Sequence, residues 1–157
     1  MKARDDSMVC RIIQLLLNIA AWLVVRFQHF TLPSLPFWEV DLGGKDIIDV
    51  LFIRLEGDKY TYYHVINLIQ QGKNAIIVDG ASEQLVVKEV NNVERLISKI
   101  SPDYLVKVHT TIGYKEGGYK PTGYNCAVLT KKLLGITAPG VYTPEQLLFY
   151  LWGLRTC

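Results

Sequence analysis

Three residues far apart in the chain, Cys126, His64 and Asp79, carry side chains suited to thiol chemistry. Cys126 follows Asn125, an N-cap candidate, and opens a segment of helical character that runs to Leu134, with Gly135 where a C′ glycine belongs. A thiol in the first turn of a helix lies beside unpaired backbone amides and the positive end of the helix dipole, and both stabilise a thiolate. The plain alternative is a cysteine that fills space, since cysteine is among the most often buried residues.

Residues Tyr60 to Ile69 and Asn74 to Asp79 read as two strands joined tightly through Gln71-Gly72-Lys73. If that hairpin closes symmetrically about Gln71-Gly72, His64 stands directly opposite Asp79. Alternation puts His64 on the face of Ile66 and Leu68, and Asp79 on the face of Ala75 and Ile77, so both polar groups project from an apolar surface. A carboxylate there is costly unless something pairs with it. An imidazole braced by a carboxylate and set near a thiol is the arrangement of a cysteine hydrolase: the ring takes or shares the thiol proton and the acid fixes its orientation. A slip of one residue would part the pair, leaving Asp79-Gly80 as a turn and His64 as an ordinary satisfied histidine.

The other candidates are weaker. His109, on the face of Leu105 and Lys107, is an alternative base with no acidic residue at any legible spacing. His29 reads as solvated, and Cys10 and Cys157 lie near the termini. Lys115, Lys120, Lys131 and Lys132 make at most a local basic rim. No glycine-rich phosphate loop and no carboxylate cluster of metal-binding spacing occurs, so neither cofactor nor metal is expected.

The elements that must position these residues fit one main domain, because 157 residues are too few for two well-packed cores. Half the residues are hydrophobic and a fifth charged, which argues against disorder and coiled coil. A net charge of +2 is too small to announce a nucleic-acid binder. Three widely spaced cysteines argue against a disulfide framework and leave at least one thiol free. At the N-terminus, Arg11 and Arg26 bracket fourteen residues, Ile12 to Val25, interrupted by Gln14 and Asn18. As a helix this run reaches about 21 Å, short of a hydrocarbon core of roughly 30 Å. Asp5 and Asp6, and the lack of a small-residue cleavage site after Trp22, argue against a signal peptide. Arg11, Gln14 and Asn18 share one stripe, so the apolar remainder of residues 9–28 is expected to pack on the core or on a partner, with a lipid surface as the alternative.

The prolines of Thr31 to Pro36 end that helix, dividing a segment 1–36 from a domain 37–157. The apolar run Ile47 to Leu55 reads as a strand covered on both faces. After the hairpin come a strand Leu85 to Val90, a helix capped by Asn92 and ended by Ser101-Pro102, and a strand Tyr104 to Thr110. A glycine-rich loop, Gly113 to Gly123, precedes Cys126, and Thr143-Pro144-Glu145-Gln146 starts a last helix through Leu154. The sum is an α+β fold: an antiparallel sheet of about five strands with flanking helices.

In this order the chain resembles the circularly permuted NlpC-like and lecithin retinol acyltransferase-like branch of the papain-type cysteine peptidases. The likeness lies in Asp49-Val-Leu-Phe-Ile-Arg54, His64-Val-Ile-Asn-Leu-Ile69, Ile76-Ile-Val-Asp79, Tyr124-Asn-Cys-Ala-Val-Leu-Thr-Lys-Lys-Leu-Leu-Gly135 and Thr143-Pro-Glu-Gln-Leu147, and spans roughly residues 47 to 151. It implies a permuted papain-like fold with an added N-terminal helix, Cys126 as nucleophile, His64 as base and Asp79 as the orienting third residue. Lipid acyltransferases of this branch usually place a histidine third and an acidic residue after the cysteine, where this chain has Asp79 and Ala127. The departure favours a peptidase or amidase. By the same resemblance, peptide crosslinks of bacterial cell wall are the leading substrate and lipid esters or amides the second, with a bacteriophage virion or a membrane-proximal site as the setting. The rival expectation is a non-catalytic structural or interaction module that docks on a larger assembly through its N-terminal helix.

Overall fold

The computed structural model describes residues 8–27, 33, 35–56, 61–80, 86–112 and 126–156. Along the chain these form α1 (Met8–Phe27), β1 (Phe37–Asp41), β2 (Asp46–Glu56), β3 (Thr61–Gln71), β4 (Asn74–Asp79), β5 (Val86–Val90), α2 (Val93–Ile100), β6 (Tyr104–Thr110), α3 (Cys126–Leu134) and α4 (Pro144–Thr156). One open sheet of six strands runs in the order β1-β6-β2-β3-β4-β5. All neighbours pair antiparallel except β1, which runs parallel to β6 with Phe37 opposite Leu105. The fold is therefore α+β, but its sheet is mixed and has one strand more than the antiparallel five expected. The added strand, Phe37 to Asp41, buries Trp38 and Val40 and leaves Phe37 and Glu39 exposed, as a short edge strand does.

Helices cover the two faces of the sheet unequally. On one, Val50, Phe52, Val65 and Val106 pack against Leu129 and Leu133 of α3 and Leu147, Leu148 and Leu151 of α4. On the other, Leu51, Leu68 and Ala75 meet Val93, Leu96, Ile97 and Ile100, the single apolar stripe of α2. Both faces of β2 are covered where Ile48 to Phe52 are all buried, and β3 is likewise buried from Asn67 to Ile69. Asp49 is buried within that run and accepts from Gln70 Nε2 at 2.6 Å; burial raises its pKa against the opposing pull of that bond and of Lys107.

Local signals set the helix ends. Asn92 Oδ1 accepts from the Arg95 amide at 3.0 Å, and Ser101 turns left-handed to stop α2. Gly135 has φ +69°, with the Gly135 and Ile136 amides donating to Lys132 O and Lys131 O, a Schellman closure of α3. Thr143 Oγ1 accepts from the Gln146 amide while Gln146 Oε1 accepts from the Thr143 amide, a complete capping box for α4.

The N-terminal helix lies on α4, and of the destinations expected for its apolar side the protein's own core does not receive the outer stripe. Gln14 Nε2 donates to Tyr150 O at 3.0 Å and Asn18 Nδ2 to Gly140 O, so these two amides of the polar stripe face the protein while Arg11 stays exposed. A Cβ on Gly153 would come within 2.6 Å of Leu17 Cδ1, so the lack of a side chain there permits the close approach. Met8, Val9, Ile12, Leu15, Leu16 and Ile19 point outward instead of packing on the core. No helix among the described residues is long and apolar enough to cross a membrane. Cys10 is buried and disulfide-bonded, and Cys126 is a free thiol, as the odd number of cysteines requires of at least one.

Candidate active site

Within the β3–β4 hairpin the ladder runs from Gln71↔Asn74 to Asn67↔Val78, closed by Gly72 at φ +62° and Lys73. The turn thus sits one residue later than a closure about Gln71-Gly72, and the register differs by two: His64 and Asp79 are not directly opposed. A shift of two preserves the faces, so the side chains still meet diagonally. His64 Nε2 lies 2.8 Å from Asp79 Oδ1.

The pairing of β3 with β4 ends at Asn67↔Val78, while β3 continues to Thr61 against β2 alone. On the side that β4 has left, the Tyr63 amide donates instead to Glu145 Oε1 of α4 at 3.0 Å, with Glu145 only 7% exposed. His64 is the next residue. By alternation its side chain belongs with Ile66 on the α2 side, and Cys126 belongs to the α3 layer on the other. The two come close beyond the end of the ladder, where the Cys126 side chain, like Asp79, favours the protonated ring.

The hydrogen bond that the ring donates to Asp79, followed by the interaction with Cys126, outweighs burial and pushes the His64 pKa up to about 10. Near neutral pH the ring is an imidazolium between a carboxylate and a sulfur. The side chains of His64 and Asp79 remain 21% and 18% exposed, so the group is sheltered but open to a reactant. Cys126 is the first residue of α3, where backbone amides have no intrahelical acceptor. The Asn125 cap and the loop from Gly113 to Gly123 lie outside the described residues, as do His29, Cys157, Lys115 and Lys120.

A buried polar chain, not foreseen from sequence, ties the three segments together. Asn67 Nδ2 donates to Val78 O at 3.3 Å and to Thr130 Oγ1 at 3.0 Å, and Thr130 Oγ1 donates to Cys126 O at 2.7 Å. Asn67 and Thr130 are each 0% exposed. The chain thus runs from the neighbour of Asp79, through the strand of His64, to the carbonyl of Cys126. Spacing offered a signal: a Thr four residues after Cys126 can bond back to its carbonyl, and an Asn inside the apolar run of β3 needs a partner.

The remaining candidates fall elsewhere. His109 does have an acidic neighbour, Glu39 Oε2 at 3.5 Å, supplied by β1. Lys131 is not part of a basic rim: it is buried, donates to Ala138 O at 3.3 Å and lies over the Tyr142 ring. Among the described residues, no group of three or more His, Cys, Asp or Glu side chains could hold a metal ion. Comparison of the chain with family models, curated proteins and solved structures gave no match.

Proposed function

We propose that the protein is a thiol-dependent hydrolase of amides or esters, with a permuted papain-like arrangement of Cys126, His64 and Asp79. The observation that carries this reading is the single ring of His64, 2.8 Å from Asp79 Oδ1 and close enough to Cys126 for the sulfur to raise the pKa of the ring. Asp79 orients the ring, and the imidazolium favours the Cys126 thiolate.

In the reaction, the sulfur lone pair attacks the substrate carbonyl carbon, forming a C–S bond, and the C=O π electrons move to oxygen. The Cys126 backbone amide donates to that oxyanion. When the carbonyl re-forms, the C–N or C–O bond breaks, and the leaving group takes the proton from His64. The now neutral ring draws a proton from water as its oxygen attacks the thioester, and the thiolate departs with its electron pair. Crosslinked cell-wall peptides are the proposed substrates, on the resemblance and on Asp79 in place of a third histidine.

Two measurements test the reading. Alkylation of Cys126 by iodoacetamide, followed by peptide mass mapping, should be fast at pH 6.5, below the ordinary thiol pKa of about 8.5, and should be lost in His64→Ala. Release of peptides from purified cell wall should vanish in Cys126→Ser. A thiol that alkylates only above pH 8, equally in both proteins, rules the enzyme out.

A further inference from the structure

Two features of α1 point outward together. The first is its inverted amphipathicity. The side-chain amides of Gln14 and Asn18 donate inward to carbonyls of the protein, and the outer stripe consists of Met8, Val9, Ile12, Leu15, Leu16 and Ile19, each between 49% and 76% exposed. That stripe leaves six large apolar side chains in water along one face of the helix, the kind of contiguous patch that often marks an interaction site. The second is a recess of about 480 Å³ beside the stripe, with Arg11, Leu15, Pro139, Val141 and Gln146 among its lining residues. Leu15 belongs to both, so an apolar surface runs into a hollow with a cation at its rim.

We propose that this face docks the protein, lying along the surface, on an anionic phospholipid bilayer. The charges of α1 are Arg11 and Arg26, both positive, with no acidic residue on the helix. Cationic side chains flanking an apolar stripe match headgroup phosphate above and acyl chain below. A second copy of the chain fits less well, because facing stripes would bring the two exposed Arg11 side chains to one interface with no acidic residue on the helix itself. The helix is held for this role: Cys10 is disulfide-bonded, and the Gly153 surface admits Leu17 closely. Docking is independent of the thiol chemistry, so Cys126→Ser should bind like the parent.

Flotation of the full chain with vesicles decides the matter. The protein should float with phosphatidylcholine vesicles containing one-third phosphatidylglycerol. The pair Ile12→Asp with Leu16→Asp should cut the bound fraction at least about tenfold, while circular dichroism stays unchanged because both side chains are exposed. Arg11→Gln should weaken binding about fivefold on anionic vesicles and leave neutral ones unaffected. Failure to float, or equal binding to neutral vesicles with no effect of Arg11→Gln, overturns the proposal. So does sedimentation showing a dimer that the double variant splits, which would give the face to a second copy.

Discussion

The sheet holds two imidazole–carboxylate pairs, and they are not equivalent. His109 and Glu39 sit on β6 and β1, 3.5 Å apart, with side chains 33% and 55% exposed. His64 and Asp79 are 2.8 Å apart, 21% and 18% exposed, and the ring also meets a thiol. The first pair is made by cross-strand proximity near water, where an ion pair is weak. The second forms beyond the end of a ladder, where the strands no longer bond to one another and side chains from three elements can converge. Proximity of a base and an acid is thus common and uninformative; a third group held against the ring separates a candidate site from a surface contact.

Substitutions can break or sharpen this contrast. Removing each ring should give the widest gap: His64→Ala should slow Cys126-dependent turnover roughly 10²- to 10⁴-fold, the usual range for a lost acid–base group, and His109→Ala should leave the rate unchanged in the same assay. Next is Thr130→Val, which strips the hydroxyl between Asn67 and the Cys126 carbonyl. It should cost about 1–3 kcal/mol of stability, the range for a buried hydrogen-bonding group left unpaired, read by urea denaturation, and it should slow Cys126 alkylation at pH 6.5.

Stability against pH gives a smaller effect. The folded pKa of His64, about 10, stands above its unfolded value of 6.5. Protonation of the ring therefore stabilises the fold fully below pH 6.5, and this contribution is lost as pH rises through about 10. The gap in melting temperature between the parent and His64→Asn should accordingly shrink from pH 6 to pH 10. The smallest effect is expected of His109→Gln, within about 0.5 kcal/mol at any pH, as for an exposed pair.

The parts legible in sequence were those decided by neighbours in the chain. Asn92, Gly135 and the Thr143–Gln146 box fixed helix ends because caps act over three or four residues. The pairing of His64 with Asp79 was reached through a register wrong by two. It survived because sliding a two-residue turn by one position keeps every side chain on its face. What stayed hidden needed distant partners. Phe37–Asp41 becomes a strand only against β6, whose residues lie 68 positions further on, Leu105 opposite Phe37. Without β1, Glu39 could not be placed beside His109. For α1, periodicity defined the stripes but not which one faces inward, a choice made by carbonyls at Gly140 and Tyr150 more than a hundred residues away.

The distance between Gln14 and its acceptor Tyr150, 136 residues, has a consequence during synthesis. A ribosome releases α1 well before α4 exists to receive it, so the emerging chain carries a greasy, undocked helix while the residues between them are added. Whatever meets it in that interval, a chaperone or a nearby bilayer, acts before the rest of the molecule has folded.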